Sequence, residues 1–240
     1  MRPISGIQSI FFPVVFLLLL SGCATVDSEF ADPRDPIEGL NRTMFSFNDE
    51  LDRAVFKPLS QFYKKVTPAP MDTGISNFFN NLGDVVSTVN SSLQFKPEKT
   101  LNHFWRVVFN STIGIGGLLD VATHMDLPRQ SEDFGQTLGV WGVGSGYYLV
   151  LPLFGPSSTR DVVGRVADSL ANPLTYVTDN TLRFGLQGLN ILDTRADLLS
   201  ASKVLDEAAL DPYTFTRDAY LQRRLHAVHD GNPPPQEDSW

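Results

Sequence analysis

The residues that come nearest to a catalytic or metal site in this sequence are Ser145 and the pair Asp120 and His124. Ser145 lies among glycines, but Val143 stands where the Gly-x-Ser-x-Gly elbow of hydrolases requires its first glycine. Asp120 and His124 are four residues apart, so a helix would point both at one metal ion, yet the neighbouring sequence supplies no further ligand. We therefore expect neither an enzyme nor a metal site at these residues.

The single cysteine carries the one covalent modification that the sequence predicts. Cys23 follows an apolar run at 10–20, which is shorter than the ~20 residues that span a bilayer, so we assign 1–22 as a cleaved lipoprotein signal peptide. Leu20-Ser-Gly-Cys23 resembles the bacterial lipobox, and we expect covalent N-acyl and S-diacylglycerol lipid on Cys23 and no other cofactor. The alternative is a free thiol after an ordinary secretory signal. Ala24, in place of Asp, resembles the sorting signal for the outer membrane.

The charges of the chain are few and unevenly distributed. The 240 residues carry a formal net charge of −8, which argues against a nucleic-acid partner, and charged residues make up 19% against about 25% in an ordinary soluble domain. The segments 73–95, 107–119 and 134–159 hold one charge between them, Asp84. Glycines and prolines within 134–159 forbid one straight spanning helix, which leaves either a buried core loop or a broken element lying in lipid.

Three helical segments are predicted in the first half of the mature chain. Asp35 is expected to cap the first helix, which should end at Lys57-Pro58 because proline cannot continue the hydrogen-bond ladder. A second, short helix is expected over 59–66, ended by Pro68 and Pro70, and apolar residues at helical spacing predict a third, longer helix over 74–93. Its other face carries neutral Asn, Ser and Thr rather than Lys and Glu, a pattern that suits a wet crevice or channel.

The second half is predicted to be helical with one short strand. Residues 147–153 form the one plausible strand, and helices are expected over 179–210 and 213–229, the latter a solvated amphipathic helix. The resulting division of the mature chain is a tether at 23–34, a helical domain at 35–229 and a disordered tail at 230–240.

A series of different short motifs lies, in a fixed order, between about positions 35 and 224. They include Asp35-Pro-Ile-Glu-Gly-Leu-Asn-Arg42, Asn77-Phe-Phe-x-Asn81-Leu82, Gly114-x-Gly116-Gly117-Leu118-x-Asp120, Glu132-Asp-Phe-Gly-Gln-Thr-Leu-Gly139 and Leu210-Asp-Pro-Tyr213. The series resembles the MlaA (VacJ) family of outer-membrane lipoproteins. One departure is that Gly146-Tyr147-Tyr148 stands where the family usually has Gly-Pro-Tyr.

The resemblance implies an all-α, ring-like, multi-helix domain with Gly-rich loops, embedded in the inner, periplasmic leaflet of the outer membrane and lipid-anchored there. Members of the family sit beside a trimeric porin, remove mislocalised phospholipids from the outer leaflet through a polar channel, and hand them to a soluble periplasmic lipid carrier, which maintains lipid asymmetry. The alternative is a structural or docking lipoprotein of a porin or envelope assembly complex. The candidates for lining the lipid path are Asn48, Asn77, Asn81, Asp84, Asn110, Gly114, Gly116, Gly117, Trp141, Tyr148 and Asp161.

Overall fold

The computed structural model describes residues 32–234, with the side chains of 204–208 left aside. The proposed signal peptide, Cys23 and residues 235–240 lie outside the described residues. The helices are α1 (Glu38–Leu51), α2 (Lys57–Val66), α3 (Ala69–Leu93), α4 (Pro97–Thr112), α5 (Phe134–Val140), α6 (Thr159–Ala171), α7 (Asn180–Asp197), α8 (Leu199–Ala208) and α9 (Pro212–Val228), and the strands are β1 (Tyr148–Leu151) and β2 (Gly155–Ser158).

The first helix does not end at Lys57-Pro58, so that prediction is wrong. A π-helical turn, Asp52–Phe56, joins α1 to α2 without interruption. Proline normally clashes with the carbonyl one turn earlier in an α-helix. The wider π turn, in which the Lys57 amide donates to the Asp52 carbonyl, directly precedes Pro58 and allows the helical path to continue.

Asp35 does not cap the first helix either. Ile37 occupies the capping position and makes no side-chain capping bond, while Asp35 is buried. Its carboxylate instead accepts hydrogen bonds from Asn41 at 2.7 Å and from the Tyr213 hydroxyl of α9. The carboxylate therefore joins the beginning of the described chain to its last helix.

The longest helix, α3, contains the predicted 74–93 segment and begins earlier, at Ala69. Pro68 is extended at the capping position and Pro70 lies in the first turn, where the missing amide has no intrahelical partner to lose. α3 packs along α4 and also contacts α5, α6 and α7.

The uncharged segment 134–159 folds as a short helix, a glycine-containing loop and a hairpin. β1 pairs with β2 in antiparallel register, Tyr148 opposite Ser158 and Leu151 opposite Gly155. The strand expected within 147–153 is confirmed, and the hairpin is the only sheet in the described part of the chain. Its Tyr148 and Val150 side chains are buried, whereas Leu153 and Phe154 at the turn are exposed.

The two ends of the described chain meet across the fold. The Tyr148 amide donates to the Arg34 carbonyl at 2.8 Å, and Arg217 of α9 pairs with Asp32 at 3.2 Å. Residue 230, assigned above to the tail, accepts from Lys99 at 2.6 Å. These contacts close the helices into a ring, and the expected all-α, ring-like architecture is confirmed.

Burial in this fold runs opposite to that of an ordinary soluble domain. In the described region, twenty-one buried residues are polar or charged and ten are hydrophobic, while thirty-five large hydrophobic side chains are exposed. An aqueous protein rarely exposes so much apolar surface. No helix among residues 32–234 is both long enough and apolar enough to cross a membrane.

Candidate functional site

A cavity of about 620 Å³ is the candidate functional site. Its wall comes from α1 and the π turn, the β-hairpin, α6, the α7–α8 junction and α9. Apolar and aromatic groups supply much of that wall, and these are Phe45, Val150, Phe154, Pro156, Leu198, Ala201, Phe215 and Ala219.

Asn48 on α1 fixes the hairpin that forms one side of the cavity. Its Nδ2 donates to the Leu151 carbonyl at 2.9 Å, and its Oδ1 accepts from the Leu153 amide at 2.8 Å. Leu153 has φ of +67°, a strained value for a residue with a side chain. The two hydrogen bonds hold this turn, and with it Phe154, against the cavity.

The cavity also carries an excess of cationic side chains, although the whole chain is acidic. Among its titratable lining residues, five are cationic and two are acidic. Both acids are paired, Asp49 with Arg53 at 3.0 Å and Asp52 with Arg195 at 2.6 Å. The cationic members are Arg53, Lys57, Arg165, Arg195 and Arg223.

A buried ionic cluster behind the cavity fixes the position of α9. Arg224 donates to Asp133 at 2.6 and 2.8 Å and to Asp161 at 2.8 Å, and the Tyr220 hydroxyl also donates to Asp161. Burial acts to raise the pKa of Asp133, but the hydrogen bonds and charge of Arg224, helped by Gln136, lower it to about 2. The cluster shows that α9 is not the solvated helix expected from its sequence, since its Tyr213, Arg217 and Tyr220 are buried.

A second ionic cluster joins α3 to α4 and lies outside the cavity lining. Arg106, almost fully buried, donates to Asp84 at 2.9 Å and to Asp120 at 3.1 Å. Burial raises the pKa of Asp84, although Arg106 and Arg129 oppose this effect. Asp120 also accepts from Asn110 at 3.1 Å, so its contacts are those of a structural carboxylate. No group of three metal-ligating residues occurs in the described part of the chain.

The glycines between α4 and the following turn allow close packing against α3. A Cβ on Gly114 would lie 2.3 Å from the Leu119 carbonyl oxygen, and one on Gly117, at φ +93°, would lie 2.8 Å from Asn81. Gly116 has φ of +68° but open space around it. Asn77 donates to the Leu118 carbonyl at 3.1 Å, and Asn81 donates to Ser111 at 2.9 Å. This turn is therefore fastened to the polar face of α3.

The polar face of α3 is buried against protein in the described structure rather than facing a wet crevice. Asn90 donates to Asp168 of α6 at 2.8 Å, and Ser87 hydrogen-bonds to the backbone of Glu132. The residues on this face are buried against the neighbouring elements, and the apolar residues Val89 and Leu93 are exposed on the other side.

Of the eleven proposed lipid-path residues, Asn48 alone lies in the cavity lining. Asp161 belongs to the cluster behind the cavity, and Tyr148 is buried with its ring 6.0 Å from that of Tyr220. Trp141 is half exposed and donates to the Leu93 carbonyl at 3.0 Å. The other seven occupy the α3–α4 interface and its turn, and they are Asn77, Asn81, Asp84, Asn110, Gly114, Gly116 and Gly117.

The cationic lining was not predicted from the sequence. Arg53, Arg165 and Arg223 lie on helices of ordinary mixed polarity, and no local motif distinguishes them from solvated surface charges. Their common location depends on contacts between helices far apart in the sequence.

Comparison with known proteins gives consistent matches over this fold. The MlaA lipoprotein family model matches residues 33–227. Two relatives are named intermembrane phospholipid transport system lipoprotein MlaA. The one from Escherichia coli (strain K12) is 37% identical over 223 residues, which cover 91% of this chain and 88% of the relative. The one from Haemophilus influenzae is 31% identical over 230 residues, which cover 93% of this chain and 92% of the relative. A solved structure, from work on the structural basis for maintenance of bacterial outer membrane lipid asymmetry, matches with TM-score 0.73 at 39% identity, covering 81% of this chain and 98% of that chain.

Proposed function

Because the chain belongs to the MlaA lipoprotein family, we propose that it transports phospholipid between membranes and so maintains the lipid asymmetry of the outer membrane. In this proposal it takes mislocalised phospholipids from the outer leaflet and passes them through the 620 Å³ cavity toward a periplasmic lipid carrier. The observation that carries the proposal is the cavity itself, in which aromatic walls and cationic groups lie side by side.

The energetics of extraction favour such a path over release into water. Exposing two acyl chains, each of about 15 buried CH₂ groups, would cost on the order of 24 kcal/mol at about 0.8 kcal/mol per CH₂. A transporter therefore has to keep the chains in apolar contact while a polar headgroup moves. The apolar wall of the cavity, together with the exposed hydrophobic residues around the ring, supplies that contact.

The exposed hydrophobic surface of the ring supports a location of the protein within one leaflet of the membrane. The exposed apolar side chains would lie among acyl chains, and buried polar groups such as Arg106 and Asn90 are satisfied inside the protein, as a hydrocarbon environment requires. We propose that Cys23, acylated as its motif indicates, anchors the chain to the periplasmic leaflet of the outer membrane. A trimeric porin beside the ring and a soluble lipid carrier complete the proposed system.

The proposed transport has no chemical step and needs no cofactor beyond the lipid on Cys23. Purified protein incubated with phospholipid vesicles should release no free fatty acid. Sustained release, abolished by one side-chain substitution in the cavity, would instead identify a lipid hydrolase.

Photocrosslinking tests the assignment of the cavity. A photoreactive phenylalanine analogue at Phe215, which lines the cavity, should capture phospholipid from vesicles, and Ala219→Trp should block that capture by filling the cavity. The analogue at Phe95, which is exposed away from the lining, is the matched control and should be unaffected by Ala219→Trp. Capture of protein alone at Phe215 would favour a docking lipoprotein.

A further inference from the structure

We propose that Arg165 and Arg223 form a binding site for the phosphate of an anionic phospholipid headgroup, so that the cavity prefers lipids of net negative charge. The proposal rests on the proposed function and specifies the chemistry of the headgroup that the same cavity selects. Its ligand class is a phosphodiester whose headgroup carries no compensating ammonium.

Hydrogen bonds between α6 and α9 place these two arginines on the same cavity. Asp161 of α6 accepts hydrogen bonds from Tyr220 and Arg224 of α9, which joins the two helices at this point. Arg165 is one turn beyond Asp161, and Arg223 is three residues beyond Tyr220. Side chains three or four positions apart share a helix face, and both arginines accordingly line the cavity.

The two arginines differ from most other cationic side chains of the fold because they make no ion pair among the described residues. Arg42, Arg106, Arg195, Arg217 and Arg224 each pair with a carboxylate. The acids in the cavity lining, Asp49 and Asp52, are already paired with Arg53 and Arg195. Two guanidinium groups that line one cavity without an ion pair leave positive charge there, and a bound anion would neutralise it.

Arginine is also the side chain best suited to this ligand. Its planar guanidinium donates two parallel hydrogen bonds to a phosphate, which fixes orientation as well as charge. Phe154, Phe215 and Pro156 lie on the same lining and present apolar contact for the glycerol and acyl portions. The arrangement holds a phosphate at the arginines while the chains remain on the aromatic wall.

Charge balance then determines which headgroup is favoured. Phosphatidylglycerol brings one negative charge to a lining that carries a net positive charge. Phosphatidylethanolamine brings the same phosphate with an ammonium group, which cancels the charge of the phosphate and which the same two arginines would repel. We therefore expect the anionic lipid to be enriched in the cavity relative to the surrounding bilayer.

The test uses the full chain, lipidated, in vesicles of equimolar phosphatidylglycerol and phosphatidylethanolamine. The photoreactive analogue at Phe215 samples the cavity, and the same analogue at Phe95 samples the surroundings. The ratio of phosphatidylglycerol to phosphatidylethanolamine captured at Phe215 is divided by the same ratio at Phe95. This normalised ratio should be roughly three to ten, the range for a charge-assisted contact in a partly solvated site. Higher salt should reduce it.

Substitutions distinguish headgroup selection at the two arginines from lipid binding elsewhere in the cavity. Arg165→Gln with Arg223→Gln should bring the normalised ratio close to one while phosphatidylethanolamine is still captured, and Arg165→Glu with Arg223→Glu should invert it. Arg183→Gln, at an exposed arginine outside the lining, should change nothing. An unchanged ratio in the double Gln variant, or a wild-type ratio of one, would overturn the headgroup site. Failure to capture any lipid at Phe215 would instead contradict the proposed function.

Discussion

Replacing Arg224 by methionine should destabilise the protein strongly, because Arg224 is the shared partner of two carboxylates behind the cavity. It donates to Asp133 and Asp161, and its side chain is 11% exposed. Methionine keeps much of the apolar stem but leaves both carboxylates without this counter-charge. Breaking a buried ion pair from one side typically costs about 3–5 kcal/mol, and we expect a loss in the free energy of unfolding near 3 kcal/mol, since Asp133 is partly exposed.

The pH dependence of stability gives a second, independent signature of the same cluster. In the wild type the pKa of Asp133 falls from 3.8 to about 2, so this group contributes stability that is present above pH ~4 and is lost as pH falls toward 2. The lowered pKa of Asp133 corresponds to about 2.4 kcal/mol of folding stability, at 1.36 kcal/mol per pKa unit. Solvent screening at this partly exposed carboxylate reduces the contribution to roughly 1–2 kcal/mol.

In Arg224→Met this acid dependence should weaken. Without the guanidinium, the pKa of Asp133 moves back toward 3.8, because the hydrogen bonds of Gln136 are left to oppose the effect of burial. The variant should therefore lose less stability than the wild type as pH falls from 4 to 2. Thermal and denaturant unfolding in detergent micelles, followed by circular dichroism at both pH values, measures this difference.

The neighbouring arginine provides the matched control for this experiment. Arg223→Met removes the same charge from the same helix, at an exposed position with no ion pair among the described residues, and should change stability by less than about 0.5 kcal/mol. Equal losses for the two variants, or an Arg224→Met loss below about 1 kcal/mol, would refute the assignment of Arg224 as the residue that holds α9.

Three further predictions concern the turn, the hairpin and the anchor. Gly117→Ala should lower stability by more than Gly116→Ala, by about 1–3 kcal/mol, because both have positive φ but only Gly117 lies against Asn81; equal melting temperatures would contradict this. Asn48→Ala should speed amide hydrogen exchange at Leu153 and cost about 1–3 kcal/mol, because both hydrogen bonds that hold the hairpin turn are lost; unchanged exchange would show that the turn is held otherwise. A Cys23→Ala protein should still partition into detergent because of its exposed hydrophobic side chains, and partition into water would favour anchoring through lipid alone.

The helices could be predicted from sequence because apolar spacing is local. The helices over 74–93 and 213–229 follow directly from it, whereas the stretch predicted over 179–210 is divided into α7 and α8. Periodicity does not reveal which face is buried, however. On α3 the apolar Val89 is exposed and Ser87 and Asn90 are buried, because polar groups in this fold satisfy one another inside the ring while the apolar face points outward.

The parts that were missed depend on long-range contacts or on unusual backbone. In the sequence, Arg224 is one of several charged residues on its helix. Its partners Asp133 and Asp161 are 91 and 63 residues away. The helix continues through Pro58 because of a π turn that no residue pattern announces. The cavity lining is drawn from α1, α6, α8 and α9, so its cationic character emerges only when those elements are brought together.

The most direct test of the central claim is to fill the cavity in living cells and measure phospholipid in the outer leaflet of the outer membrane. Ala219→Trp places a bulky ring in the lining, and Ala69→Trp, at an exposed position outside it, is the matched control. With equal protein levels, Ala219→Trp should cause outer-leaflet phospholipid to accumulate as much as loss of the protein does, and Ala69→Trp should not. Normal asymmetry in Ala219→Trp cells would contradict a lipid path through the cavity.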